Sequence, residues 1–198
     1  MKKHKKQFDK NKQLLEFIAE AGMLKRVERS GWWVVGVKHP ESVAEHSFRC
    51  AVIAYLIAKS ENAKAPEALV MALFGDMHEA RTNDLHKMAQ RYVNFQKAEE
   101  DAFREQIASL PKAIKDELAS TRKEYRLQKT KESIIARDAD ILECLIQAKE
   151  YHEHGFTQAS QFMKKAPRFL KTKTARSLWK SARRGSLSNW WQRLSDFG

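Results

Sequence analysis

The stretch from Phe74 to Leu85 concentrates side chains that could carry acid–base or metal chemistry. Asp76 and Glu79 lie three residues apart, and Asp84 follows Glu79 by five. Residues three apart share one face of a helix, so these two carboxylates could serve a single site. An ordinary solvated helix end would show the same spacing, and the rest of the chain has to decide between the two interpretations.

Two other parts of the chain place ligand-type residues in otherwise apolar helical patterns. They are His46, near the start of a predicted helix, and either Asp138 or Asp140 in a long one. Charged groups among packed apolar side chains are costly unless they are paired or bound to a metal. Imidazole with several carboxylates suits a divalent ion such as Mn, Co, Zn or Fe. Such an ion acidifies bound water and polarises a phosphoryl oxygen, which makes phosphate ester hydrolysis feasible near neutral pH.

Helical periodicity of apolar residues accounts for most of the chain. It predicts helices at about 11–28, 42–59, 66–79, 85–92, 95–110, 111–124 and 131–152, with weaker patterns at 159–165 and 174–184. Ser42 followed by Glu45 predicts a capping box, and Pro66 suits the first turn of the third helix. Residues 29–37, which contain two glycines and an apolar run between them, are predicted to form a buried loop or an extended segment. We find no internal repeat and no strand series, so the predicted fold class is all-α.

Two apolar stripes are predicted to face the core. In the helix 42–59 the stripe consists of Phe48, Val52, Tyr55 and Leu56. In the helix 131–152 it consists of Ile134, Ile141, Leu142, Leu145 and Ile146. Helical geometry places Asp138 nearer to the second stripe than Asp140, so periodicity alone favours Asp138 as the ligand.

Length and composition fit one soluble domain of ordinary size. The chain has 198 residues, with 42% hydrophobic and 31% charged residues. No apolar run approaches the roughly 20 residues that cross a membrane, and no apolar block of a secretory signal follows the basic start. The two cysteines, Cys50 and Cys144, sit in apolar helical patterns and are interpreted as small buried residues of a reducing compartment. We therefore expect no membrane association and a cytoplasmic location.

The net charge of +12 is concentrated at the two ends of the chain. Residues 161–198 hold ten Lys or Arg and one acid, Asp196. A basic tail can attract the phosphates of nucleotides or nucleic acid, although it can equally be solvated surface. The tail also holds Trp179, Trp190 and Trp191, which predict that it docks on the core rather than stacking on bases.

Four ordered motifs resemble one known family, and the likeness runs from about residue 14 to 155. The motifs are Leu24-Lys25-Arg26-Val27-x-Arg29-x-Gly31-Trp32, Glu41-Ser42-Val43-Ala44-Glu45-His46-Ser47, Asp76-x-x-Glu79 with Thr82-Asn83-Asp84, and Ala139-Asp140-Ile141-Leu142-Glu143 with Gln147-Ala148-Lys149-Glu150-Tyr151. They resemble the HD-domain metal-dependent phosphohydrolases, in particular the 5′-deoxynucleotidase branch. The resemblance implies a single HD-type helical bundle over 1–198, with a core at about 14–155 and a basic helical extension at about 156–198.

The resemblance also implies a role for each matched residue. His46, Asp76 and Asp140 would be metal ligands, so the resemblance selects Asp140 where periodicity favours Asp138. Glu79 would be the acid–base group that positions the attacking water or protonates the leaving oxygen.

The remaining matched residues would bind the substrate, a nucleoside 5′-monophosphate, in its deoxy form by preference. Arg29 would hold the phosphate or the sugar, and the ring of Trp32 would lie beside the base or deoxyribose. Asp84 would make a hydrogen bond to the substrate or within the site. Members of the family form dimers, so a homodimer is expected.

One position departs from the pattern for which the family is named. The histidine of its His-Asp pair is replaced here by Gly75, directly before Asp76. His78 could swing in as a ligand, or fewer protein groups could hold the metal. Alternatively the site binds a nucleotide without catalysis, as in a regulatory protein, or the chain associates with nucleic acid through its basic tail. The sequence favours an active metal-dependent phosphohydrolase.

Overall fold

The protein is all-α, as its sequence predicts. The computed structural model describes residues 2–187 and 189–194, and within these ranges we find α-helices and short 3₁₀-helices but no β-strand. The α-helices are α1 Lys2–Met23, α2 Val43–Ser60, α3 Ala65–Leu73, α4 Glu79–Thr82, α5 Lys87–Gln90, α6 Phe95–Gln106, α7 Lys112–Leu127, α8 Lys131–Glu153, α9 Ser160–Lys165 and α10 Lys173–Ala182. The 3₁₀-helices are Ser30–Val35, Thr157–Ala159, Ala166–Phe169 and Trp190–Leu194.

The centre of the molecule is the packing of α2, α3 and α8 against one another. Alanines in all three helices are buried at these contacts and allow the helix backbones to approach closely: Ala54, Ala58, Ala68, Ala72, Ala136 and Ala139. The predicted capping box starts α2. Ser42 Oγ accepts a hydrogen bond from the Glu45 amide at 3.2 Å, and Glu45 Oε2 accepts one from the Ser42 amide at 2.6 Å. This cap fixes the first turn of α2, where His46 lies.

The predicted third helix is interrupted, which changes how the Phe74–Leu85 stretch is built. α3 ends at Leu73, residues 74–78 form turns, and α4 begins only at Glu79. The expectation that Asp76 and Glu79 share one face of a continuous helix is therefore wrong. Residues 31–36 also differ from the prediction, because they lie mostly in the 3₁₀-helix Ser30–Val35 rather than in a loop or extended segment.

The apolar stripe predicted to bury α2 faces solvent instead. Phe48 is 68% exposed, and Val52, Tyr55 and Leu56 are exposed as well. The opposite face of α2, which includes Cys50 and Ile57, is buried. Periodicity was a poor guide here because α2 carries apolar residues on both faces.

The C-terminal segment packs on α8 and joins the core. Leu170, Ala175 and Trp179 belong to the same buried cluster as the residues of α2 and α3. Trp190 and Trp191 remain exposed, at 66% and 49%. Docking of the tail therefore uses Trp179, whereas the prediction for the terminal tryptophan pair is wrong.

None of the described helices combines the length and the apolar character required to span a bilayer.

Candidate active site

A cavity of about 630 Å³ collects most of the residues that the sequence singles out. The predicted site residues in its lining are Arg29, Trp32, Asp76, Glu79, Asp84 and Asp140. They come from the 3₁₀-helix and the residue before it, the turns around α4, and α8. The fold thus brings together three parts of the chain that are far apart in sequence.

His46 forms the buried floor of this site, with only 1% of its surface exposed. Its Nε2 atom lies 3.5 Å from Asp76 Oδ2 and 3.4 Å from Asp140 Oδ1. Its Nδ1 atom donates a short hydrogen bond to Glu143, which is fully buried. A carboxylate on Nδ1 fixes the tautomer and leaves Nε2 available as a ligand, an arrangement common in metal-binding histidines.

Glu143 is itself held by Arg49, and neither residue is among the predicted site residues. Arg49 donates to Glu143 from Nε at 2.9 Å and from Nη2 at 2.7 Å, and its Nη1 contacts Glu150 at 2.8 Å. A signal for both was present, because Arg49 follows His46 by three residues and Glu143 follows Asp140 by three. That spacing places each residue on the same helix face as a predicted ligand.

Glu79 is buried beside two other carboxyl groups. It is 5% exposed, and its Oε2 atom has no hydrogen-bond partner among the described residues. Burial raises the pKa of Glu79 well above its usual range, and the neighbouring Asp76 and Asp84 raise it further. A carboxyl group with a raised pKa is suited to exchange a proton with a bound ligand.

Arg29 faces the acidic groups from the other side of the cavity. Its Nη1 atom lies 3.5 Å from Asp76 Oδ2. Burial lowers the pKa of Arg29, but Asp76, Asp84 and Asp140 more than offset that effect, so the guanidinium stays charged. It is a fixed cation within reach of an anionic ligand.

Trp32 lines the cavity from the 3₁₀-helix and is almost completely buried. Its Nε1 donates to Glu41 Oε1 at 3.1 Å, and its ring lies 4.6 Å from that of Phe162, between centroids. The indole N–H is therefore already used, and the ring can offer only apolar contact. Asp84 is positioned through its backbone, because its carbonyl oxygen accepts a hydrogen bond from Ser30 at 2.6 Å.

The structure does not bring His78 to the other predicted ligands. Its Nε2 lies 3.2 Å from Glu99 Oε1, its Nδ1 lies 3.2 Å from Arg122 Nη1, and its ring packs near Phe95. Because the chain turns between α3 and α4, position 78 faces α6 and α7. The suggestion that His78 replaces the missing histidine is therefore corrected: its partners are Glu99 and Arg122 rather than His46, Asp76 or Asp140.

Asp138 and Asp140 point to different sides of α8. Asp138 is fully buried and accepts hydrogen bonds from the amides of Lys171 and Thr172 and from the Thr172 hydroxyl, at 2.6–3.0 Å. It fastens the C-terminal segment to α8. Asp140 faces His46, which agrees with the residue selected by resemblance and not with the one favoured by periodicity.

The donor set at His46 fits a divalent ion chemically. The ligand atoms of His46, Cys50 and Glu143 all lie within 4.8 Å of one another, whereas those of His46, Asp76 and Asp140 form no such closed group in the described chain. However, Glu143 is occupied by Arg49, and burial raises the pKa of the Cys50 thiol to about 12, which disfavours the thiolate. The two carboxylates beside Nε2, those of Asp76 and Asp140, are therefore the better ligands.

Comparisons with known proteins agree with this geometry. The profile of the HD domain family matches residues 21–179. The 5′-deoxynucleotidases HDDC2 of Bos taurus and Homo sapiens are both 34% identical over 142 residues, which cover 71% of this chain and 68% and 69% of those proteins. A conserved hypothetical protein from Pyrococcus furiosus superposes with a TM-score of 0.70 at 34% identity, covering 86% of this chain and 99% of that one. A predicted metal-dependent phosphohydrolase from Magnetospirillum magnetotacticum, 21% identical with a TM-score of 0.68, covers 87% of this chain and 90% of its own and shares the fold.

Proposed function

Because this chain belongs to the HD domain family, we propose that it is a metal-dependent phosphohydrolase that releases phosphate from nucleoside 5′-monophosphates, with a preference for deoxy forms. The observation that carries the proposal is that His46 Nε2 lies 3.5 Å from Asp76 and 3.4 Å from Asp140, two carboxylates that line a cavity together with Glu79 and Arg29. The substrate class follows the names of the HDDC2 relatives.

His46, Asp76 and Asp140 would hold the divalent ion, for which Mn, Co, Zn and Fe suit the nitrogen and oxygen donors. When bound, the ion supplies an acidified water and polarises the phosphoryl group. The pKa of His46 is lowered by burial and by Arg29. Three neighbours have the opposite and stronger effect, so the pKa is raised overall: Cys50, Glu143 and Asp140. Ion binding must then displace a proton, so metal affinity should fall at acidic pH.

The other residues of the site would bind the ester and move its proton. Arg29 would hold the phosphate by charge-assisted hydrogen bonds. Glu79, whose pKa is raised by burial, would give a proton to the leaving 5′ oxygen of the nucleoside. Trp32 would offer its ring to the sugar or base, and Asp84 would accept a hydrogen bond from the substrate. The cavity volume of about 630 Å³ lies within the range of small-molecule sites and exceeds that of a phosphate alone.

The proposal is tested by phosphate release from deoxynucleoside and ribonucleoside 5′-monophosphates with added Mn²⁺ or Co²⁺. We expect Glu79→Gln to retain metal and lose turnover, and His46→Ala to lose both. His78→Ala tests the remaining predicted ligand: because His78 pairs with Glu99 and Arg122 and not with Asp76 or Asp140, its loss should leave metal affinity unchanged. A protein that binds neither ion and releases no phosphate would instead be a nucleotide-binding relative without catalysis.

We also propose that the protein forms a homodimer through the exposed stripe on α2, which consists of Phe48, Val52, Tyr55 and Leu56. Apolar side chains at this spacing are a typical helix–helix contact surface, and exposed apolar patches commonly mark interfaces. Light scattering should show a dimer that Phe48→Glu converts to a monomer. Leu127→Glu, at an exposed position on α7, should leave the dimer intact. A monomeric wild type would contradict this proposal.

A cytoplasmic location is the compartment we propose, since both cysteines are free thiols. Fractionation of cells with the tagged protein tests it.

A further inference from the structure

The active-site cavity is lined by a second guanidinium besides that of Arg29, namely that of Arg137. Arg137 projects from α8, is about half exposed, and donates from Nη1 to Asp140 Oδ2. The other oxygen of Asp140 is the one that faces His46. Arg137 thus contacts a candidate metal ligand from outside while its own side chain forms part of the cavity wall.

Tyr125 of α7 is a neighbour of Arg137 on α8. The two side chains are close enough for Arg137 to lower the pKa of the Tyr125 hydroxyl, while burial and Asp140 raise that pKa more strongly. The phenol therefore stays neutral and can serve Arg137 as a hydrogen-bond partner. The ion pair with Asp140 orders Arg137 before any ligand arrives, which reduces the entropy lost on binding.

The glycine at position 75 leaves room for the Tyr125 ring. A Cβ atom at Gly75 would lie 3.8 Å from Tyr125 Cε1 and 3.4 Å from two carbonyl oxygens of α3, those of Met71 and Ala72. A Cβ alone would make ordinary contacts there, and any longer side chain in that direction would meet the ring. The absence of a side chain beside Asp76 is therefore matched by the presence of Tyr125.

The two cavity arginines offset the carboxylates beside His46. Arg29 contacts Asp76 and Arg137 contacts Asp140, so each carboxylate beside His46 has a guanidinium neighbour. A guanidinium has five N–H donors, and Asp140 with Tyr125 cannot use them all. The donors left over are available to phosphate oxygens, for which the planar fork of arginine is well suited.

We propose that Arg137, held in place by Tyr125, is a second phosphate-binding residue of this site. The inference rests on the proposed phosphohydrolase function. The competing explanation is that Arg137 only neutralises Asp140 and has no contact with a ligand.

The test is the affinity of the full-length protein for inorganic phosphate, measured by equilibrium dialysis at saturating Mn²⁺, with bound manganese determined in the same samples. Loss of the charge-assisted contacts in Arg137→Ala should weaken phosphate binding roughly tenfold, and Arg137→Lys should recover part of the loss. Tyr125→Phe removes only the hydroxyl and should weaken binding roughly threefold, since the guanidinium remains but is less well held.

Arg104→Ala is the matched control. Arg104 forms an ion pair with Asp101 at the same three-residue helical spacing, at 2.7 Å, but it is exposed and lies outside the cavity lining. It should bind phosphate as the wild type does. If the unfolding temperature shows that Arg137→Ala does not fold, Arg137→Lys and Tyr125→Phe provide the test, because both keep most of the side-chain volume.

Two negative results have different meanings. Phosphate affinity in the Arg137 and Tyr125 variants equal to that of an active wild type overturns the role of Arg137 and leaves the proposed function intact. A wild type that neither binds phosphate nor releases it from deoxynucleoside monophosphates overturns the proposed function, and this inference with it.

Discussion

The carboxylate behind His46 offers a sharp test of the candidate metal site. Glu143 is fully buried and accepts hydrogen bonds from His46 Nδ1 and from two nitrogens of Arg49. Glu143→Gln keeps the shape of this side chain but replaces one acceptor oxygen with an NH₂ group. Because His46 and Arg49 both donate, the new amide group must face one of them without accepting its hydrogen.

The expected loss of stability follows from these contacts. Breaking a buried ion pair by removing one partner costs about 3–5 kcal/mol when the other charge is left alone. Arg49 retains Glu150 as a partner and is partly exposed, so we expect the lower end, about 3 kcal/mol of unfolding free energy. Metal affinity should fall by roughly 10- to 100-fold, because Nδ1 of His46 loses the carboxylate that orients the ring.

Urea unfolding measures the first quantity, and Mn²⁺ competition with a coloured chelator measures the second. Glu150→Gln is the control, since Glu150 also pairs with Arg49 but does not contact His46. It should change stability by about 1 kcal/mol or less and leave metal affinity unaltered. Equal Mn²⁺ affinity in Glu143→Gln and wild type, or equal weakening in both variants, would refute the role assigned to Glu143.

Three further predictions concern neighbouring features. Asp138→Ala should lower the unfolding free energy in urea by about 3 kcal/mol and leave Mn²⁺ affinity unchanged, because Asp138 anchors the C-terminal segment. Asp140→Ala should abolish Mn²⁺ binding, and the reverse pattern would exchange the roles of the two residues. Burial raises the pKa of Glu41 to about 7, so the folded state binds this proton more tightly than the unfolded state does. The stability of the wild type should therefore fall as the pH rises from about 4.5 to 7. The unfolding free energy of Glu41→Gln relative to wild type should rise by about 2–3 kcal/mol from pH 4.5 to 8, and a difference that does not change with pH would contradict this. Trp179→Ala should cost about 3–5 kcal/mol in the same assay and Trp190→Ala less than about 0.5, since only the first is buried; similar values would contradict this.

The sequence predicted the kind of element better than its buried face. The start of α2 was predicted within a residue because Ser42 and Glu45 interact locally, and local interactions are encoded in adjacent residues. The buried face of α2 depends on what α3 and α8 present to it. With apolar residues around the whole helix, Phe48 and Ile57 carried no signal that one would be exposed and the other buried.

The family resemblance named individual residues for the candidate site, while the contacts among them were not predicted. Nothing in the spacing of His46 and Glu143, almost a hundred residues apart, reveals that a carboxylate would hold the imidazole. The same holds for Tyr125 beside Gly75, since the contact depends on how α7 crosses the turn after α3. Contacts of this kind are tertiary, and a single sequence records them only as residue types.

The burial of the long helix α8 explains why periodicity favoured Asp138 as the ligand while the resemblance selected Asp140. A helix buried on one face has a single apolar stripe, and a charged residue near that stripe is the natural candidate for a site. α8 is buried on two faces: Asp140 and Glu143 serve the cavity, while Asp138 receives the amides of Lys171 and Thr172. The segment anchored in this way returns to the cavity, because Lys171 is also part of its lining. The extension beyond residue 155, which the resemblance placed outside the core, therefore completes a wall of the candidate active site.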